Sequence, residues 1–175
     1  VSYNKEGTTV ELEMTAPEDA SYELSSVEGN EVLGEDAYSL DGNVLTLGGE
    51  NKPGYYTITY SDEKYADAQA EVLVESNLKE GSITVEDNAL KVADNEDGIT
   101  AADLAANISG VVINGEPLGS RNPGAVVMNE DGSINLDAEL SSRDGSSTPV
   151  FAEAGEYTVE FTIDGYPSVT GMVTK

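Results

Sequence analysis

Apolar and polar side chains alternate along almost the whole chain. Val10-Glu11-Leu12-Glu13-Met14 sets an apolar residue at every second position between acids, the period of a strand with one face in a core and the other in water. Tyr56-Thr57-Ile58-Thr59-Tyr60 and residues 157–163 repeat the pattern, and residues 70–74 and 169–173 supply closing strands. Shorter strand-like runs at 43–47, 83–85, 90–92, 111–113 and 133–136 predict further strands. Asp41-Gly42, Asn114-Gly115 and Asp131-Gly132 punctuate them with pairs that tolerate positive φ. One stretch breaks the period. Residues 100–108 are alanine-rich, Thr100 and Asp103 have capping-box spacing, and Leu104 and Ile108 share one helical face. A short helix near 101–108 follows, stopped by Gly110. Met14, Met128 and Met172 all fall in strand-like surroundings and are expected in the core.

A repeat of 101 residues overlies this pattern. Gly54, Tyr56, Thr57 and Tyr65 reappear without a gap as Gly155, Tyr157, Thr158 and Tyr166; Ile58, Tyr60 and Val72 correspond to Val159, Phe161 and Val173. Two tandem modules follow, 1–76 and 77–175, the second carrying an insertion at 137–149 rich in Ser, Gly and Asp. Each contains Gly-x-Tyr-x-apolar. Immunoglobulin-like sandwiches place a tyrosine this way at the start of a late strand, with its hydroxyl returned to the backbone of the preceding turn. Tyr56 and Tyr157 are therefore expected as structural corners, with Ile58 and Val159 in the core. The fold class is all-β: two tandem immunoglobulin-like β-sandwich modules, with one short helix in the second.

Composition narrows the chemistry. Of 175 residues, 34 are acidic and 8 basic, a net charge of −26, and there is no histidine, cysteine or tryptophan. Nucleic acid needs clustered Lys and Arg, so it is excluded as a partner. Ser-His and Cys-His catalytic pairs, disulfides and Cys/His zinc sites lack their residues. No apolar stretch is long enough to span a bilayer, so membrane insertion is not expected. No signal peptide opens the chain, and its ends read as the interior of a longer protein. Acids spread through both modules keep a protruding protein soluble.

The stretch 37–47, followed by Gly54-Tyr55-Tyr56-Thr57-Ile58 and Tyr65-Ala66-Asp67-Ala68, resembles the bacterial haemoglobin-interacting domain family. These are small β-sandwich modules found in tandem in large Gram-positive surface proteins. Gly165-Tyr166 supplies the corresponding step in the second half. The resemblance implies a β-sandwich architecture and an extracellular, cell-surface setting; it assigns haemoglobin binding to no residue.

Several residues invite specific chemistry. Asp94-Asn95-Glu96-Asp97-Gly98 offers oxygens before a glycine, as does Asn129-Glu130-Asp131-Gly132, and calcium takes six to eight oxygens. The first segment fails the EF-hand register. With Asp97 and Gly98 at its fifth and sixth positions, Ala93 stands first and Leu104 twelfth. Asp94, Asn95 and Asp97 are the calcium candidates, against the plainer reading of solvated turns. Among the carboxylates, nothing singles out the pair that glycoside hydrolysis needs, and no enzymatic activity is expected. Tyr3, Tyr22, Tyr38, Tyr55 and Tyr60 are candidate aromatic platforms. Residues 56, 58 and 60 share a strand face, so Tyr55 lies opposite and is the expected ligand contact. Haem iron could be ligated only by Tyr or Met. A Lys–Asn crosslink needs a buried lysine, and Lys5 and Lys91 are the ones to try. The function expected is a non-catalytic extracellular spacer within a larger bacterial surface or secreted protein, contacting neighbouring domains of its own polypeptide. The alternatives are an adhesion module for a host protein or glycan, with contacts at 137–149 and Tyr55, and an accessory module of a carbohydrate-active enzyme.

Overall fold

The alternation becomes two layers of strands in the first 77 residues. In the computed structural model, which describes residues 1–93 and 95–175, the chain divides into two units, Val1–Asn77 and Leu78–Lys175. The first holds β1 (Thr8–Glu11), β2 (Glu23–Glu28), β3 (Tyr38–Asp41), β4 (Val44–Leu47), β5 (Gly54–Ser61) and β6 (Ala68–Val74). They form two antiparallel sheets, ordered β1-β4-β3 and β2-β5-β6. Val10, Leu45 and Leu47 of one sheet and Val27, Tyr56, Ile58 and Val74 of the other join one buried cluster. Each of these side chains is worth about 1.5–3 kcal/mol when fully removed from water, so the two inner faces supply the main driving force for the sandwich.

Three local expectations change here. The β3–β4 loop is Gly42-Asn43 rather than Asp41-Gly42: Asp41 stays in the ladder opposite Val44, and Gly42 takes φ 62. β1 ends at Glu11, so Leu12 stays buried but Met14 is 45% exposed. Tyr3 is not a surface platform. Its N–H donates to the Glu75 carbonyl, its ring is buried, and its hydroxyl donates to the Gly49 carbonyl at 2.7 Å, the partner a buried tyrosine requires.

The second unit adds helices and hairpins to a comparable sheet. Its elements are β7 (Ile83–Glu86), β8 (Ala89–Val92), α1 (Ala101–Ala106), β9 (Ile108–Ile113), β10 (Glu116–Pro117), α2 (Pro123–Val127), β11 (Glu139–Ser141), β12 (Ser147–Pro149), β13 (Glu156–Ile163) and β14 (Val169–Thr174). The sheet runs β10-β9-β13-β14, and β7-β8 and β11-β12 are separate hairpins. Val111, Val159, Phe161 and Val173 of the sheet meet Leu90, Leu104, Val127 and Phe151 in a second core. Asn88, at the β7–β8 turn, bonds both the N–H and the carbonyl of Thr174. Gly171 leaves room for β7: a Cβ there would stand 2.4 Å from Val85 Cβ.

The helix begins as its capping box dictates, with Thr100 and Asp103 each bonding the other's backbone N–H. It ends earlier than 108. The Asn107 side chain donates to the Asp103 carbonyl, and Ile108 opens β9, with Gly110 inside that strand. There is also a second helix, α2, which the alternation does not predict; Asn122 caps it and Pro123 stands at its first turn. Residues 133–136 make isolated bridges rather than a strand. Met128 is buried, whereas Met172 is 52% exposed because it faces away from its buried neighbour Val173.

The repeat extends to strand register. Tyr56 pairs with Val72 and Tyr157 with Val173; Ile58 pairs with Ala70 and Val159 with Gly171; Tyr60 pairs with Ala68 and Phe161 with Val169. Every one of these partners is displaced by the same 101 residues.

Candidate functional site

The two corner tyrosines show how each unit holds its late strand. The Tyr56 hydroxyl donates to the Lys52 carbonyl at 2.5 Å, and the Tyr157 hydroxyl donates to the Glu153 carbonyl at 2.8 Å. Both reach back four residues. Tyr157 also accepts from the Glu153 N–H at 3.0 Å and sets its ring edge-on to Phe151. Gly54 and Gly155, two residues before each tyrosine, take φ 144 and 155, which glycine adopts without steric cost. Burial, and then the neighbouring Tyr3, push the Tyr56 phenol up to about 12. Both hydroxyls are committed to the backbone of the preceding turn.

Tyr55 lies on the opposite face of β5 and is 51% exposed. Its ladder neighbour on β6 is Leu73, half-buried on the same face. The Tyr65/Tyr166 pair diverges. Tyr65 is exposed and donates to an Asp19 carboxylate oxygen at 2.7 Å, whereas Tyr166 is buried. Lys5 and Lys91 are both exposed, so neither offers the buried amine that a Lys–Asn crosslink needs.

The acidic turns use their oxygens locally. Asp94 lies outside the described residues. The Asn95 side-chain oxygen accepts from the Ile99 N–H at 2.9 Å while its amide donates to the carbonyls of Ala93 and Ile99; Asp97 is half-buried beside it. In the second turn, the Ser133 hydroxyl and N–H both donate to Asp131 and hold its carboxyl below the usual range. Among the described residues, no three acidic side chains come together as a metal site would require.

Two surfaces stand out from the sandwich framework. In the second unit, the 137–149 segment carries the β11–β12 hairpin from Glu139 to Pro149, with residues 141–149 all exposed. Arg143 lies near its tip, where the Ser146 hydroxyl and N–H hold Asp144 below the usual carboxylate range. In the first unit, one end of the strands borders an open depression of about 740 Å3. The residues leaving β1, entering β2 and ending β5 line it, together with the β3–β4 turn. The sequence pattern marks the hairpin as an insertion; it gives no sign of the cavity, whose walls come from four separate segments.

A model of the family described as "Heme-binding protein Shr-like, Hb-interacting domain" matches residues 82–174. No curated protein matches the chain. Among solved structures, the full-length tri-modular endo-beta-1,4-glucanase B of Bacillus halodurans is 15% identical with a TM-score of 0.31, covering 100% of this chain and 34% of that one. The Bacteroides ovatus mixed-linkage glucan utilization locus protein SGBP-B, in complex with mixed-linkage heptasaccharide, is 12% identical with a TM-score of 0.31, covering 99% of this chain and 41% of that one. The chain thus spans 34% and 41% of the length of these two structures.

Proposed function

Since the chain belongs to the Shr-like Hb-interacting domain family through residues 82–174, we propose that it serves a bacterial cell-surface or secreted protein as a non-catalytic, protein-binding module. Haemoglobin is the first partner to test. The observation that carries this reading is the coincidence of the family match with one compact unit, Leu78–Lys175.

The chemistry of the second unit supports recognition of a protein surface over capture of haem. Its iron-ligating repertoire is two tyrosines and two methionines. Met128 and Tyr166 are buried, Tyr157 is tied to Glu153, and Met172 stands on an exposed strand face. That donor set does not fit a haem pocket. The β11–β12 hairpin is the contact element we assign. It is exposed from Ser141 to Pro149, and its extended backbone and Arg143 offer hydrogen bonds and one of the few positive charges on an acidic module.

A spacer role is the second reading, favoured by one observation. Among the described residues of this unit, Met172 is the only large hydrophobic side chain counted as exposed, whereas binding surfaces usually carry an apolar patch. Interferometry with immobilised haemoglobin separates the two. Saturable binding by the whole chain, lost at least tenfold when residues 141–148 are replaced by a glycine-serine turn and weakened by Arg143→Glu, is the result expected. No binding by the intact chain overturns recognition of haemoglobin and leaves the spacer. Undiminished binding by the hairpin variant moves the contact elsewhere.

A further inference from the structure

The first unit, outside the family match, carries a surface that the proposed function does not use. Its walls at the open end are Leu12, Met14, Tyr22, Leu24, Leu40 and Tyr60. Leu40 belongs to the inner face, opposite the buried Leu45; it is 37% exposed because β3 is the outer strand of its sheet and the opposing layer does not reach it. Met14 is exposed where β1 has ended. Tyr22 is fixed by its hydroxyl, which donates to the Ala66 carbonyl, and burial raises the Tyr60 phenol above its ordinary value. These side chains line an open depression of about 740 Å3 at the edge of the core, in which Leu12 is buried and Met14 and Leu40 are exposed to water.

The charge around it is of one sign. Both charged side chains that line it, Glu13 and Glu23, are carboxylates. Seventeen acids and three lysines make up the charge of the unit. A second copy of this chain would meet like charge, so self-association is disfavoured. The flanking walls are the exit of β1 and the entry of β2, and each is the outer strand of its sheet. Outer strands offer backbone groups to an added extended segment.

We propose that this open end is a docking groove for an extended, lysine- or arginine-rich peptide segment of a partner protein. Apolar side chains of that segment would enter between Met14, Leu40 and the two tyrosine rings, with its cations at Glu13 and Glu23. This does not rest on the haemoglobin reading. It concerns a different unit and a different chemistry.

The test titrates the 15N-labelled whole chain with a blocked eight-residue peptide of alternating lysine and leucine. Lysine–serine and glutamate–leucine peptides serve as controls, and a neutral glucan hexasaccharide is a further arm. Expected are saturable shifts confined to residues 12–15, 22–24, 40–43 and 60, from the lysine–leucine peptide alone. Binding should weaken about fivefold in the double variant Glu13→Gln with Glu23→Gln and about tenfold in Met14→Ser with Leu40→Ser. All four positions are exposed, and 1H–15N spectra of each variant that match the native chain outside the groove verify that the fold is kept. Equal shifts from the lysine–serine peptide, shifts spread over the whole acidic surface, or groove shifts from the hexasaccharide in place of the peptide would each overturn the proposal.

Discussion

Removing one hydroxyl from each corner tyrosine separates burial from bond count. Tyr56→Phe deletes a single hydrogen bond, to the Lys52 carbonyl, from a ring that is 5% exposed. Tyr157→Phe deletes two, to the carbonyl and the N–H of Glu153, at an exposed turn. Counting bonds makes the second substitution the costlier. Physical chemistry argues the reverse. A polar group left unpaired away from water costs about 1–3 kcal/mol, whereas one that water can reach recovers most of the lost bond. Tyr56→Phe should therefore destabilise the first unit by about 1–2 kcal/mol, the Lys52 turn being partly buried. Tyr157→Phe should cost the second unit about 0.5 kcal/mol, its edge-on contact with Phe151 being kept.

For units of this size, each kcal/mol moves the midpoint by about 4–8 °C. The first unit should then melt about 5–15 °C lower in Tyr56→Phe, and the second about 2–4 °C lower in Tyr157→Phe. Differential scanning calorimetry of the whole chain gives the two transitions, and 1H–15N spectra recorded through the melt assign each to its unit. A larger drop for Tyr157→Phe, or a Tyr56→Phe effect on the second unit's transition, would refute the reasoning.

Three further outcomes are expected. Gly49→Ala should cost the first unit about 3 kcal/mol or more in urea titration, because its Cβ would fall 1.7 Å from the Lys5 carbonyl oxygen; a midpoint equal to that of the native chain would contradict the close approach. Burial raises the Tyr56 phenol from 10.0 to about 12, so the folded unit holds that proton more tightly than the unfolded chain. Its contribution to stability is complete below pH 10, falls as pH rises from 10 to 12, and should appear as a late phase at 295 nm that Tyr56→Phe removes. Millimolar calcium should leave both melting transitions unchanged, since the Asn95 oxygen already serves the Ile99 N–H; a rise of several degrees abolished by Asp97→Asn would instead make that loop a cation site.

What the sequence disclosed follows the range of the forces involved. The late hairpins were legible because alternation, a glycine at positive φ and a corner tyrosine all act within a few residues. The Asn114-Gly115 turn was legible for the same reason, and both its residues take positive φ. Asp87-Asn88 makes the same kind of turn at φ 52 and 56 without glycine, so composition did not announce it. α2 carried a readable signal in Asn122-Pro123, a cap followed by proline. The β-branched pair Val126-Val127 argued for a strand, and tertiary burial of Val127 decided the matter. Tyr3 and Met14 exchanged expected places because their burial depends on Glu75 and Gly49 in one case and on the end of β1 in the other, contacts far apart in sequence. The groove of the first unit was illegible for that reason too.

The shared register points to where the units should differ in function. A corner tyrosine fixes its strand to the turn four residues before it, and the ladder then fixes the closing strand. Both devices are local, so the register of the hairpin is set by its own bonds while its stability comes from the layer packed on it. The first unit covers its hairpin sheet with β1-β4-β3, the second with β7-β8 and two helices. A change in the covering layer leaves the hairpin's own bonds intact, whereas losing the corner hydroxyl costs about 1–2 kcal/mol in the first unit and about 0.5 kcal/mol in the second. Partner-specific features are therefore free to vary in the covering layer, its open end and its insertions. The β11–β12 hairpin is such an insertion, and the apolar groove takes Leu12, Met14 and Leu40 from the covering layer and Tyr22, Leu24 and Tyr60 from the open end of the hairpin sheet. Substitutions at those two places should change binding with little effect on melting, and the corner variants should do the opposite.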